Sequence, residues 1–210
     1  MARFQALLFA VSLAGCAANF GPNGPAPASP AQSAESIHPA TNCPKLSGGT
    51  GMLTDGDFSQ ASQPASTLGF NKGQSFAPGW HVTKNSIDFV SSTYWNMDGL
   101  CSVDIDGGSS GAFAHKSFAT SAGAKYTVTF FLSGNGDGGP AVKTLKVSAA
   151  GQSSTFTWDT SGGNDPRHGK YAKKTWSFTA AKTKTTLTFT SLDPTSAYGA
   201  VIAGVSVKKG

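Results

Sequence analysis

Glutamate occurs once in the 210 residues, as Glu35, so chemistry that needs a pair of glutamates is excluded. Charged side chains of every kind amount to 13% of the chain, about half the usual share. That rules out a coiled coil or long-helix protein, which is built from Ala, Glu, Lys and Leu. A disordered polyelectrolyte is ruled out too, because aromatics at 10% and hydrophobic residues at 39% can bury a core. Only one apolar run exceeds a few residues, which excludes a polytopic membrane protein. No C-x-x-C motif occurs, and His38, His81, His115 and His168 are scattered without metal-ligand spacing. Glycine, by contrast, is plentiful at 26 residues, or about 12% where about 7% is usual. Ser and Thr stand where ions would otherwise form the polar surface. The length suits one domain with appendages. Together these features describe a Gly/Thr-rich, exported, all-β protein.

The one apolar run is Phe4 to Ala14, preceded by Arg3 and too short for a stable membrane span. It reads as an export signal over residues 1–15. Its end, Leu13-Ala14-Gly15-Cys16, resembles the bacterial lipobox: small residues fit a narrow peptidase site, and a thiol is needed to carry diacylglycerol. Two or three acyl chains on Cys16 would anchor the protein stably. The alternative is an ordinary secretory signal with an incidental cysteine. Ala17 follows where diderm lipoproteins retained at the inner membrane carry Asp, so the resemblance implies the outer membrane in a host with two membranes.

From Ala17 to Asn42 the chain is rich in Ala, Pro, Ser and Gly, a composition that cannot bury a core. Residues 16–45 are therefore expected to be an acylated cysteine and a disordered tether, with the folded domain over 46–210. With Cys16 lipidated, Cys43 and Cys101 remain, an even pair that in an exported protein suggests one disulfide. Two unpaired thiols are the alternative. Charge is uneven: residues 166–210 hold Arg167, Lys170, Lys173, Lys174, Lys182, Lys184, Lys208 and Lys209 against Asp193 alone. That basic C-terminal region fits either a solvated strand face or contact with an anionic surface. Export argues against nucleic acid.

Period-two alternation recurs along the chain. Tyr126, Val128, Phe130 and Leu132 share one face, as do Leu145 and Val147, Phe156 and Trp158, Trp176 and Phe178, and Leu187 and Phe189. Val201, Val205 and Val207 close the series, and Gly, Asn, Asp and Pro turns separate the segments. The pattern predicts an antiparallel β-sandwich or jelly roll of about nine or ten strands.

Three patterns invite a catalytic reading. Gly107 to Gly111 matches G-x-S-x-G, but a nucleophile elbow needs a helix next, and Ala112 to Phe118 alternates like a strand. Gly134, Gly136 and Gly139 match G-x-G-x-x-G, yet Pro140 and the strand pattern from Lys143 replace the helix a dinucleotide site requires. Asp104 and Asp106 lie two apart beside inward-facing Val103 and Ile105, so they could bind a cation or act as a carboxylate pair. Solvated or turn-capping carboxylates are the simpler expectation, since the EF-hand ligands that should follow are absent. No catalytic set assembles, and no cofactor is expected.

Asp55-Gly56-Asp57-Phe58, Pro78-Gly79-Trp80-His81-Val82, Ser86-Ile87-Asp88-Phe89-Val90, Tyr94-Trp95 and Ser102 to Gly107 occur in that order, followed by Phe118 to Lys143 and Leu187 to Leu192. In order and spacing they resemble the bacterial choice-of-anchor C family, related to a plant cell-wall family of unknown function. The resemblance implies a galactose-binding-like jelly roll at the cell surface, non-catalytic, with affinity for wall polysaccharide. Jelly rolls of this type often hold a structural calcium with two acidic residues, where this chain has Ser59 and Ala203. Losing both carboxylates argues against a metal there, and a Cys43–Cys101 bridge would supply the stabilisation instead.

Sugar recognition favours an aromatic platform with flanking hydrogen-bond donors, because a pyranose has an apolar face and a hydroxylated rim. Trp80, Tyr94 and Trp95, with Asp104 and Asp106, are the candidate ligand-binding residues; the alternative is that the three aromatics are core, which is the simpler expectation for Trp80. Trp158 and Trp176, on apolar strand faces, are expected to be core. The expected function is that of a lipid-anchored cell-envelope protein that binds cell-wall or extracellular polysaccharide and is not an enzyme. The alternative is a structural or adhesive envelope protein that meets an acidic partner through its basic C-terminal face.

Overall fold

The alternating segments become strands in the computed structural model, which describes residues 42–194 and 196–210. The export signal, Cys16 and most of the tether lie outside the described residues. Fourteen strands follow in order: β1 (Thr67–Asn71), β2 (Ser75–Ala77), β3 (Trp80–Lys84), β4 (Ser86–Val90), β5 (Ser102–Asp104), β6 (Ala112–His115) and β7 (Phe118–Ala119). The second half supplies β8 (Lys125–Gly134), β9 (Val142–Ala149), β10 (Gln152–Asp159), β11 (Ala172–Thr179), β12 (Lys184–Thr185), β13 (Leu187–Ser191) and β14 (Ala200–Lys209). A 3-10 turn at Pro166–His168 is the one helical element among the described residues.

Two six-stranded antiparallel sheets form the jelly-roll sandwich, in the orders β1-β4-β5-β14-β8-β11 and β10-β9-β13-β6-β3-β2; β12 and β7 pair separately. The count exceeds the nine or ten expected. The unforeseen strands, such as β2 and β12, have two or three residues, too few to show an alternation. Both glycine motifs fall where a helix is impossible. Ser110 and Gly111 lead into strand β6, and the other motif spans the turn between β8 and β9.

The inner faces bury Phe58, Phe89, Phe113, Phe130 and Phe189 with Val103, Ile202 and Val205. Trp80 sits among them, its ring edge-on to Phe58 and to Phe113, each at 5.6 Å between centroids. Full burial of such side chains contributes about 1.5–3 kcal/mol each. A second, smaller cluster lies on the outer face of the first sheet. There Trp95, Met97 and Leu100, from the segment between β4 and β5, cover Val201 and Ala203. Trp158 and Trp176 are half-buried against the main core rather than enclosed by it.

Cys43 and Cys101 form a disulfide with 5.7 Å between their Cα atoms, closing a separation of 58 residues. A bridge of this kind contributes about 2–4 kcal/mol by restricting the unfolded chain. It also pins the start of the domain beside the segment that covers the outer face.

Candidate functional site

The site is built where the loops after β8, β10 and β13 meet at one end of the sandwich. In the β10–β11 loop, Asp165 caps the 3-10 turn, its Oδ1 accepting from Arg167 N at 2.9 Å and His168 N at 3.3 Å, with Pro166 in the first position. Asp followed by Pro is a strong local start signal for a helical turn. The cap aims Arg167 outward, where its guanidinium pairs through both Nη atoms with Asp137 of the β8–β9 loop. Two-pronged pairing fixes both side chains more firmly than a single contact would.

Arg167 also lies over the ring of Tyr94, 5.5 Å from its centroid, and donates to the Tyr94 hydroxyl at 3.2 Å. Tyr94 is 43% exposed. Beside Asp137, Gly138 lets the ring of Tyr198 lie flat on the backbone; a Cβ there would stand 2.3 Å from Tyr198 Cδ2. Tyr198 is 39% exposed. Tyr94, Arg167, Asp137 and Tyr198 thus follow one another along a continuous rim of two aromatic rings and charged hydrogen-bonding groups.

Beneath the rim lies a buried polar network. Lys143, fully enclosed, donates to Gly138 O and Tyr198 O, both at 2.7 Å, and so ties two of the rim loops together. Asp104 Oδ1 accepts from Asp106 N at 3.0 Å and Gly199 N at 2.9 Å, and its Oδ2 accepts from Asn135 Nδ2 at 2.8 Å. Asp106 Oδ1 accepts from Gly111 N at 3.1 Å, and Asp193 Oδ1 from Thr144 N at 2.6 Å. The second carboxylate oxygens of Asp106 and Asp193 are buried without a hydrogen-bond partner. Burial pushes the Asp104 carboxyl up to about 7 and Asp193 up to about 6, and it raises Asp106 as well. Burial also lowers the Lys143 ammonium, against the pull of Asp193, Asp104 and Asp106. A desolvated charge is disfavoured unless partners compensate it.

The expected site residues separate accordingly. Tyr94 is at the surface. Trp80 and Trp95, at 0% and 3% exposure, are not a platform: Trp80 is core, its Nε1 donating to Asp55 O at 2.9 Å, and Trp95 lies in the outer-face cluster. Asp104 and Asp106 are not solvated. They hold backbone N–H groups inside the network, because the loops after β8 and β13 close over what would otherwise be the polar face of β5. Ser59 donates to Asp55 Oδ1 at 3.3 Å, and Ala203 packs in the outer-face cluster. Arg167, Asp137, Tyr198, Lys143, Asn135 and Asp193 were not foreseen as site residues. Of these, only Lys143 carried a signal, since it shares the inward phase of Leu145 and Val147.

A jelly-roll sandwich with an aromatic and charged loop rim is thus the class of protein defined here. Residues 51–208 match the family described as "protein of unknown function (DUF642)", and the chain belongs to that family. It is 30% identical over 137 residues, 61% of its length, to Halomucin of Haloquadratum walsbyi, but it spans only 1% of that protein. Among solved structures, TmCBM61 in complex with β-1,4-galactotriose matches at 17% identity and TM-score 0.42, over 76% of this chain and 99% of that one. A family 35 carbohydrate binding module from Clostridium thermocellum matches at 12% identity and TM-score 0.42, over 68% and 98% of the two chains.

Proposed function

We propose that the protein is a non-catalytic, lipid-anchored cell-envelope component of the choice-of-anchor C type, and that its rim binds cell-wall or extracellular polysaccharide. One observation carries the reading: Tyr94 presents an exposed ring whose neighbours, Arg167 and Asp137, are fixed donors and acceptors. A pyranose offers an apolar face to such a ring and hydroxyls to such a border, and Tyr pairs a large contact area with a polar tip. The Asp104–Asp106 pair supports a non-catalytic role, since neither carboxylate reaches solvent. Cys16 supplies the lipid anchor and residues 17–45 the tether, which places the domain at the envelope, on the outer membrane of a diderm host.

Retention of the full chain on insoluble wall polysaccharides and a glycan panel tests the rim. Tyr94→Ala is expected to weaken binding about tenfold, the equivalent of about 1.4 kcal/mol. Retention on no glycan, or retention unchanged by Tyr94→Ala, would sink the reading. In cells, incorporation of labelled palmitate should vanish in Cys16→Ser; a Cys16→Ser chain that still takes up label overturns the anchor.

A further inference from the structure

The outer face of the first sheet carries a pocket of about 180 Å³, away from the rim. Its floor is Phe131 and Thr129 of β8 with Ser206 of β14. On one side stands the hook Leu46–Gly49, and on another Asp98, from the segment that covers the outer-face cluster. Lys173 of β11 and Lys208 of β14 also line it.

The chain takes particular care to shape this hollow. Cys43 is pinned by the disulfide, and Leu46 N donates to Asp57 Oδ2 at 2.8 Å, which together fix the base of the hook. The hook closes with Gly49 N donating to Leu46 O at 3.2 Å. At Gly51 the segment runs so near β14 that a Cβ would lie 2.0 Å from Val207 O. Strand β14 is itself bulged: Ala203 pairs with Phe131 and Ser206 with Thr129, so Gly204 and Val205 together oppose Phe130. Gly204 has φ 56°, the left-handed region that glycine enters without strain. A Cβ on it would stand 2.9 Å from both Leu100 Cδ1 and Phe131 Cδ2. The bulge keeps Val205 and Val207 in the main core while Ser206 and Lys208 face the pocket. Bulges of this sort re-aim side chains beside functional sites.

The chemistry of the lining selects its occupant. Lys173 and Lys208 are exposed, and neither has a carboxylate partner among the described residues. Asp98, the one acid in the lining, already accepts from the Tyr171 hydroxyl at 2.9 Å. Phe131 is held edge-on by Tyr171 at 5.3 Å between centroids, and it offers the remaining apolar surface. Two lysines, two hydroxyl-bearing residues, Thr129 and Ser206, and an aromatic residue lining a small hollow suit a compact polyol bearing one negative charge. We infer that this pocket binds an acidic sugar unit, with Lys173 and Lys208 meeting its carboxylate or sulfate.

The inference rests on the glycan reading but concerns a different surface, so the two fail separately. The full chain is titrated by calorimetry with trigalacturonate, with its methyl ester and with a sulfated galactose disaccharide. At least one of the two anionic probes should bind at least tenfold more tightly than the neutral ester. Which one does so identifies carboxylate or sulfate as the anion. Lys173→Met and Lys208→Met, which keep the apolar stems, should each weaken that binding about tenfold. Lys146→Met, on the outer face of the second sheet, and Tyr94→Ala should leave it unchanged. The inference is overturned if neither anionic probe binds, if the neutral ester binds as tightly as both anionic probes, or if either pocket-lysine variant binds like the unmodified chain.

Discussion

Replacing Lys143 by methionine is expected to destabilise the domain by about 3–5 kcal/mol at pH 8, the usual consequence of removing one partner from a buried charged group. Methionine retains most of the stem, so the loss reports the ammonium and not a cavity. That ammonium donates to Gly138 O and Tyr198 O and faces Asp104, Asp106 and Asp193. Without it, two carbonyls lose their donor and three carboxylates lose the ammonium buried among them. At pH 5, where Asp104 and Asp193 are protonated, the carbonyl contacts make up most of the loss, so the penalty should shrink to about 2 kcal/mol. Urea unfolding at both pH values measures it. A penalty below about 1 kcal/mol, or one independent of pH, would show that the ammonium does not offset the buried carboxyls. If Lys143→Met does not fold at pH 8, recovery of its fold at pH 5 is the expected result, and failure at both values counts against the account.

The same substitution bears on the rim. Lys143 joins the β8–β9 loop to the β13–β14 loop, the two that carry Asp137 and Tyr198. The network under the rim therefore acts as its mounting. Arg167 owes its direction to a separate, local device, the Asp165 cap.

The long strands were legible because each spans at least five residues with one face apolar; β8, β9, β11 and β13 follow the expected phases. Trp80 misled because it stands first in its strand, and a tryptophan directly after Pro78-Gly79 looks like a loop residue although it starts an inward-facing phase with Val82. The mounting was illegible for a different reason. Its bonds join residues 31, 49, 55 and 95 apart in sequence, and no local pattern records which distant loops will meet. Lys143 was readable in principle, as an ionisable residue on the apolar phase of a strand, and such a residue must find partners inside. Asp137, Arg167 and Tyr198 sit in irregular loops, where residue type alone does not distinguish a rim from ordinary solvated surface.

Stability is expected to fall as pH rises from about 4 to about 8, the reverse of a domain held by surface carboxylate pairs. A carboxyl that ionises less readily in the folded chain adds stability below its unfolded pKa and loses it as pH climbs through the folded value. Asp104 moves from 3.8 to about 7 and Asp193 from 3.8 to about 6, both mainly through burial. Asp55, Asp88 and Asp106 are raised for the same reason. For Asp104 alone the shift corresponds to about 4 kcal/mol. Its neighbours titrate with it as one set, so their contributions do not simply add. Asp159 opposes the trend, lowered by its hydrogen bonds to Ser161, but it is fully exposed and contributes little. Lys143 also opposes it: burial lowers its pKa, so the folded chain gives up that proton more readily than the unfolded one, which adds stability as pH rises. Urea midpoints at pH 4.5, 6, 7 and 8 should therefore descend, with the steepest change between 5 and 7.5. Asp104→Asn, which stays neutral throughout, should flatten that descent while Asp98→Asn leaves it intact. Midpoints that climb from pH 5 to 8 would mean that the network is ionised and compensated in the folded chain.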